Sequence, residues 1–217
     1  MIDTTVHKGQ RLKLVESLRQ KGISSEKVLE AINAIPRHFF FHLTGMQNHA
    51  YQDKAFPIGS GQTISQPYTV AFQTQLLDIQ PREKILEIGT GSGYQAAVIS
   101  KLGAKVYTIE RQKNLYNSTK KLLETLHLTN ISLFFGDGFK GLPTFAPFDK
   151  IIITAAAPEI PVTLINQLKI DGYIVIPLNN GASQTMLRIK KINETEFLKE
   201  TFGDFSFVPM LTGTAND

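Results

Sequence analysis

The sequence predicts a doubly wound α/β fold, and three observations carry that expectation. Lys84-Ile85-Leu86-Glu87-Ile88 is an apolar strand that runs into Gly89-Thr90-Gly91-Ser92-Gly93, and Tyr94-Gln95-Ala96-Ala97-Val98-Ile99 then opens a helix. Glycines at alternate positions let the backbone turn sharply and keep side chains from between the main chain and a ligand. From Arg82 onward apolar strands alternate with helical stretches, the pattern of a mainly parallel sheet covered on both faces. The last two strands, near 184–193 and 197–208, are parted only by the turn-like Asn193-Glu194-Thr195-Glu196, so they should form an antiparallel hairpin.

Residues 1–48 read as helices. Leu12, Leu14, Val15 and Leu18 recur at helical spacing, and Gly22 ends that helix. Ser24 or Ser25 caps the next, whose apolar face is Val28, Leu29, Ile32 and Ile35. Pro36 opens a short helix through Phe39-Phe40-Phe41, an aromatic run that reads as core or lid packing. Residues 49–67 lack sustained periodicity and read as a long polar loop, ordered by Phe56, Ile58 and Ile64; such loops are usually functional or disordered. In it, His49, Tyr51, Asp53 and Lys54 either line an acceptor groove or are simply solvated. Pro67 starts a helix to about Asp78, with Val70, Ala71, Thr74 and Leu77 inward. Strands follow at 84–88, 105–110, 131–135, 149–154 and 172–178, ahead of the late pair, with helices near 93–102, 112–127 and 160–168.

Composition sets the bounds. The 217 residues can bury a full core, and 42% apolar with 19% charged content argues against disorder. The net charge of +4 is spread without a long basic block, so it does not demand a nucleic-acid partner. With no cysteine there is neither a disulfide nor a thiolate metal site. His7, His38, His42 and His127 have no metal-ligand spacing with acids, so no metal is expected. The start lacks the apolar core of a signal peptide, and no apolar run approaches the roughly 20 residues of a membrane span. A cytoplasmic, monomeric protein working away from membranes is the expectation.

The glycine turn is G-x-G-x-G rather than the G-x-G-x-x-G of dinucleotide binders. The next strand ends in Glu110, 21 residues after Gly89, beside that turn in this topology. A carboxylate there can accept two hydrogen bonds from a ribose diol and would repel a 2′-phosphate. Gly136-Asp137-Gly138 follows the third strand; its acid either accepts an exocyclic amine such as adenine N6 or merely completes a turn. Thr154-Ala155-Ala156-Ala157-Pro158 leaves room above the sheet edge.

Together the turn, Glu110, Gly136-Asp137-Gly138 and the late hairpin resemble the class I S-adenosylmethionine-dependent methyltransferases. That resemblance covers roughly residues 80–210 and implies a Rossmann-like seven-stranded sheet of order 3-2-1-4-5-7-6 with strand 7 antiparallel. Pro57-Ile58-Gly59-Ser60-Gly61-Gln62-Thr63-Ile64-Ser65-Gln66-Pro67 closely resembles the signature of the protein-L-isoaspartate O-methyltransferases. Pro36-Arg37-His38-Phe39-Phe40, the Thr154–Pro161 segment and Phe207-Val208-Pro209-Met210 also resemble that family, so the likeness spans nearly the whole chain. It implies a single methyltransferase domain over 1–217, with helices and an active-site loop in 1–80 and the cofactor-binding sheet in 81–217.

The resemblance also implies roles. The catalytic residue falls on Ser65. Contacts to S-adenosyl-L-methionine, or the product S-adenosyl-L-homocysteine, fall on Gln62, Thr63, Ile64, Ser65, Tyr68, Glu87, Gly89, Thr90, Gly91, Ser92, Gly93, Glu110, Arg111, Asp137 and Gly138. Substrate contacts fall on Ile58, Gly59, Ala156 and Ala157. Tyr68 stands where some relatives carry His, and Met210-Leu211-Thr212 departs from the more usual V-P-L. The implied partners are isoaspartyl-containing proteins and peptides. Their α-carboxylate, with a reference pKa of about 3.3–3.7, is already ionised, so methyl transfer needs no general base. For Ser65 a second reading is an N-cap ahead of Pro67. RNA or a small molecule is a competing acceptor on charge alone, but the N-P-P-Y/F motif of amino-methylating enzymes is replaced by Ala155-Ala156-Ala157-Pro158.

Overall fold

The computed structural model describes residues 2–41, 45–181 and 183–216. Helices α1 (Thr5–Gln20) and α2 (Glu26–Ala34) lead into a 3-10 turn at Arg37–Phe41. Helix α1 buries Arg11, Leu14, Val15 and Leu18, an i, i+3, i+4, i+7 stripe, and turns Leu12 outward. The expected stripe therefore holds except at Leu12, whose place Arg11 takes by pairing with Asp3 and bonding Tyr51.

The 49–67 stretch is not structureless. It folds into a hairpin of β1 (Phe56–Gly59) and β2 (Gln62–Ile64). Gly59, Ser60 and Gly61 all take positive φ, which makes the turn, and Ile58 and Ile64 are buried beneath it. Pro67 then occupies the first turn of α3 (Pro67–Leu77).

The main sheet holds β3 (Lys84–Ile88), β4 (Lys105–Glu110), β5 (Ile131–Phe135), β6 (Phe148–Ile153), β7 (Leu168–Asn179), β8 (Gln184–Lys191) and β9 (Phe197–Phe205), in the order β5-β4-β3-β6-β7-β8-β9. Between them run α4 (Tyr94–Lys101), α5 (Lys113–Thr125) and the single turn α6 (Val162–Ile165). Alternate residues bury on opposite faces: Leu86, Ile88, Ile151 and Ile153 on one, Ile85, Val106 and Ile152 on the other. A third apolar cluster joins α1, α2, Ile58 and Ile64 to Tyr94, Ala97 and Val98 of α4, and so packs the N-terminal helices and the hairpin over the start of α4. No helix among the described residues is long and apolar enough to cross a membrane.

Two expectations need correction. Counting β3 to β9 as sheet strands one to seven, the order is 3-2-1-4-5-6-7, not 3-2-1-4-5-7-6, and the antiparallel strand is the sixth. Only residues 180–183 separate β7 from β8, and 192–196 separate β8 from β9. Connections that short return a strand beside its predecessor; a parallel crossover needs a dozen residues or more. The hairpin itself is as expected. The helix expected at 160–168 shrinks to α6, because Leu168 already pairs with Phe148 in the sheet.

Candidate active site

Above the C-terminal ends of β3, β4 and β6 lies a cavity walled by four segments: 62–65, the glycine turn, Glu110-Arg111 and 208–211. Gly89, Gly91 and Gly93 have φ of +95°, +53° and +85°. A methyl added at Gly89 would lie 2.6 Å from Thr154 Oγ1, and one at Gly93 2.9 Å from Thr119 Cγ2. Thr154 Oγ1 reaches the carbonyl oxygens of Ile88 and Gly89 at 3.0 and 2.6 Å, and so fixes the turn to β6. A side chain at Gly89 or Gly93 would break this close approach, and the bare backbone of Gly89 and Gly91 faces the cavity.

Glu110 closes one side. Its Oε2 accepts the Gly91 N–H and its Oε1 the Gln112 N–H, each at 2.8 Å. Burial raises its carboxyl above the ordinary glutamate value, opposed by the hydrogen bonds from the Gln112, Gly91 and Arg111 backbone. Each oxygen keeps a further lone-pair site for a ligand hydroxyl.

Of the residues expected at a cofactor, Gln62, Thr63, Ile64, Ser65, Gly89, Thr90, Gly91, Ser92, Glu110, Arg111 and Gly138 line this cavity. Four do not. Gly93 packs on Thr119 and Leu123. Glu87 is fully buried behind the wall; Thr108 donates to its Oε2 at 2.5 Å, and Thr108 bonds Thr90 at 2.7 Å. Asp137 spends both oxygens on backbone, Oδ1 on Phe139 N–H and Oδ2 on Gly213 N–H, each at 2.9 Å. Tyr68 lines the neighbouring groove.

Asp137 belongs to a strap over the cavity. Arg111 donates to the carbonyls of Gly213 and Thr212, and Ala156 pairs by backbone with Val208 and Met210. The strap thereby presents Val208, Pro209, Met210 and Leu211 to the cavity. Ala156 and Ala157, expected at the substrate, instead use their backbones on this strap and on β7. Gly59 sits in the hairpin turn, and Ile58 packs below, toward Gly91. Sequence reasoning missed Val70, Tyr94 and Gln95 as wall residues, which no local signal singles out, and gave Thr154 no contact of its own although it flagged the segment that Thr154 opens.

A second groove opens beside the cavity, lined by Tyr68, Phe72 and the 203–208 segment, and shares Thr63, Ser65, Thr154 and Val208 with it. Ser65 is not the cap of α3: that position is Gln66, with no side-chain capping bond. Asp53 instead accepts the Tyr68 N–H and pairs with Lys21, while Tyr51 bonds Arg11 and His38, so neither lines the groove. His49 and Lys54 are not among its lining residues either.

Elsewhere the fold does gather Asp3, His7 and His38, against the spacing argument. Both Asp3 oxygens are taken by Arg11, His7 Nδ1 faces Thr4, and His38 Nδ1 meets Tyr51 at 2.7 Å. An arginine on the only carboxylate opposes a cation, so the cluster reads as a clamp on the N-terminus. His42 lies outside the described residues.

Comparison with known proteins matches this architecture. The family profile described as Protein-L-isoaspartate(D-aspartate) O-methyltransferase (PCMT) matches residues 9–215. The chain is 58% identical over 211 residues to the protein-L-isoaspartate O-methyltransferase of Flavobacterium johnsoniae, covering 97% of this chain and 98% of that one. It is 52% identical to that of Cytophaga hutchinsonii, covering 97% and 95%. A solved protein-L-isoaspartate O-methyltransferase superposes with a TM-score of 0.84 at 28% identity, over 92% of this chain and 65% of that one. A Plasmodium falciparum structure, a putative protein-L-isoaspartate O-methyltransferase in complex with S-adenosyl-L-homocysteine, shares the fold with a TM-score of 0.81 at 23% identity, over 93% and 98%. The chain therefore belongs to the protein-L-isoaspartate(D-aspartate) O-methyltransferase family.

Proposed function

We propose that this protein repairs others by transferring a methyl group from S-adenosyl-L-methionine to the free α-carboxylate of L-isoaspartyl residues. The backbone amide nitrogen then attacks the ester carbonyl, methanol leaves, and water opens the resulting succinimide partly to aspartate. The observation that carries the reading is the shared wall: cavity and groove meet at Thr63, Ser65, Thr154 and Val208. A donor in the cavity and an extended acceptor in the groove then come together beside Ser65.

The residues fit the cofactor. Glu110 offers two carboxylate oxygens to a ribose diol, the glycine turn offers bare backbone, and Ile88, Ile109, Met210 and Leu211 offer an apolar slot for the base. When bound, S-adenosylmethionine would supply a methyl on a sulfonium sulfur, which an ionised carboxylate oxygen can accept with no proton to move as the sulfur leaves as the neutral thioether S-adenosylhomocysteine. Catalysis by the chain is accordingly positioning and water exclusion. Ser65 Oγ–H holds the carboxylate oxygen that does not attack, and the hairpin and the 208–211 strap cover the reacting centre. Tyr68, whose ring stacks on Phe205 at 6.4 Å, gives the groove an apolar wall for the peptide flanking the damaged residue.

On this reading the whole chain is one domain that acts as a monomer in the cytoplasm on isoaspartyl proteins and peptides, apart from membranes and nucleic acid. The mild charge of +4, without a basic block, supports the last point. Ser65→Ala should lower turnover on an isoaspartyl peptide roughly tenfold to a hundredfold, the loss of one hydrogen bond to a charged group. Affinity for S-adenosylhomocysteine, measured by calorimetry, should move by only a few-fold. A wild-type turnover in that variant would remove Ser65 from the mechanism.

A further inference from the structure

We infer that Arg37 is the positioning residue of the active-site loop: one guanidinium ties both ends of the 50–65 segment and so sets the place of Ser65. Arg37 Nε donates to the Ala50 carbonyl at 2.9 Å, and Nη2 donates to the Ser65 carbonyl at 2.8 Å. Everything between those carbonyls, including the β1–β2 hairpin and three wall residues of the cavity, hangs from that fork.

The energetics single this residue out. Arg37 is 0% exposed, and among the described residues it forms no ion pair with a carboxylate. Its third nitrogen, Nη1, is buried without a hydrogen-bond partner. Burying a cation with no carboxylate in direct contact is costly, the Asp53 charge acting only at longer range, and a neutral apolar side chain would pack there with less penalty. The rings of Tyr94 and Phe41, 4.6 and 5.4 Å from the guanidinium carbon, offset part of that cost. What the guanidinium provides, and an apolar residue cannot, is two donors in fixed geometry aimed at two carbonyls. Lysine supplies a point charge and cannot reproduce the fork.

The inference rests on the role proposed for Ser65, and a double-mutant cycle separates the two. Turnover on an isoaspartyl peptide, KM, S-adenosylhomocysteine affinity and thermal melting are measured for Arg37→Lys and Arg37→Gln, each alone and combined with Ser65→Ala. A displacement of about an ångström at Ser65 should lower kcat roughly tenfold to a hundredfold in the single Arg37 variants, and no further than Ser65→Ala does. In the Ser65→Ala background the same change should cost less than about threefold, because coupled residues are not additive. Full additivity in a cooperatively melting variant, or an unchanged kcat, would overturn the positioning role while leaving Ser65 in place. A Ser65→Ala enzyme of wild-type turnover would instead sink the reading on which it rests. If neither Arg37 variant melts cooperatively, Arg37 holds the fold as a whole, and the specific role is wrong.

Discussion

Glu87→Gln should stabilise the protein at pH 8 and above and flatten its stability against pH. Glu87 is fully buried, its Oε1 has no partner, and burial pushes its carboxyl up to about 8, with the nearby Glu110 charge adding to the rise. In the unfolded chain it titrates near the ordinary glutamate value of 4.5. Between those values the folded state holds a proton that the unfolded state has lost. The contribution is therefore present in full below the unfolded value and drains away as pH rises through the folded one. The slope approaches about 1.4 kcal/mol per pH unit in that window. Glutamine mimics the protonated acid at every pH, so the variant should lose this slope. For a chain of this size each kcal/mol moves Tm by about 2–4 °C. Melting curves from pH 5 to 9 check this; parallel curves for wild type and variant would mean that Glu87 is ionised in the folded protein.

Glu110→Ala should weaken S-adenosylhomocysteine binding by about a hundredfold or more. Charge-assisted hydrogen bonds contribute about 1.5–3 kcal/mol each, and the diol would lose two. The same change strands the Gly91 and Gln112 N–H groups that Glu110 now satisfies, which loosens the glycine turn. Because burial raises the Glu110 carboxyl, wild-type affinity should start to fall at a higher pH than an ordinary glutamate would give. Calorimetric titrations across acid pH test both points; an unchanged affinity in the variant takes Glu110 out of the site.

The two glutamates also show what a sequence can and cannot disclose. The glycine turn and Glu110 were legible because positive φ, strand ends and their spacing are local properties. Glu87 lies on β3, the strand that leads into that turn, but alternation points it into the protein, where it supports Thr90 through Thr108. Asp137 illustrates the other failure. Its backbone partner Gly213 lies 76 residues on, so its carboxylate anchors a strap that no local pattern announces. Arg37 stood within a recognised segment, yet its role depends on carbonyls 13 and 28 residues away. The last two strands exchanged places for a similar reason: connection length, not strand pattern, fixes their neighbours.

This chain should methylate isoaspartyl carboxylates and no ordinary ones. Two peptides identical except for one isoaspartyl or aspartyl linkage, incubated with labelled S-adenosylmethionine, test it most directly. Label should enter the isoaspartyl peptide alone and leave it as methanol in mild alkali, as a carboxyl ester does. Equal labelling of both peptides, labelling of neither, or label that survives alkali would contradict the claim.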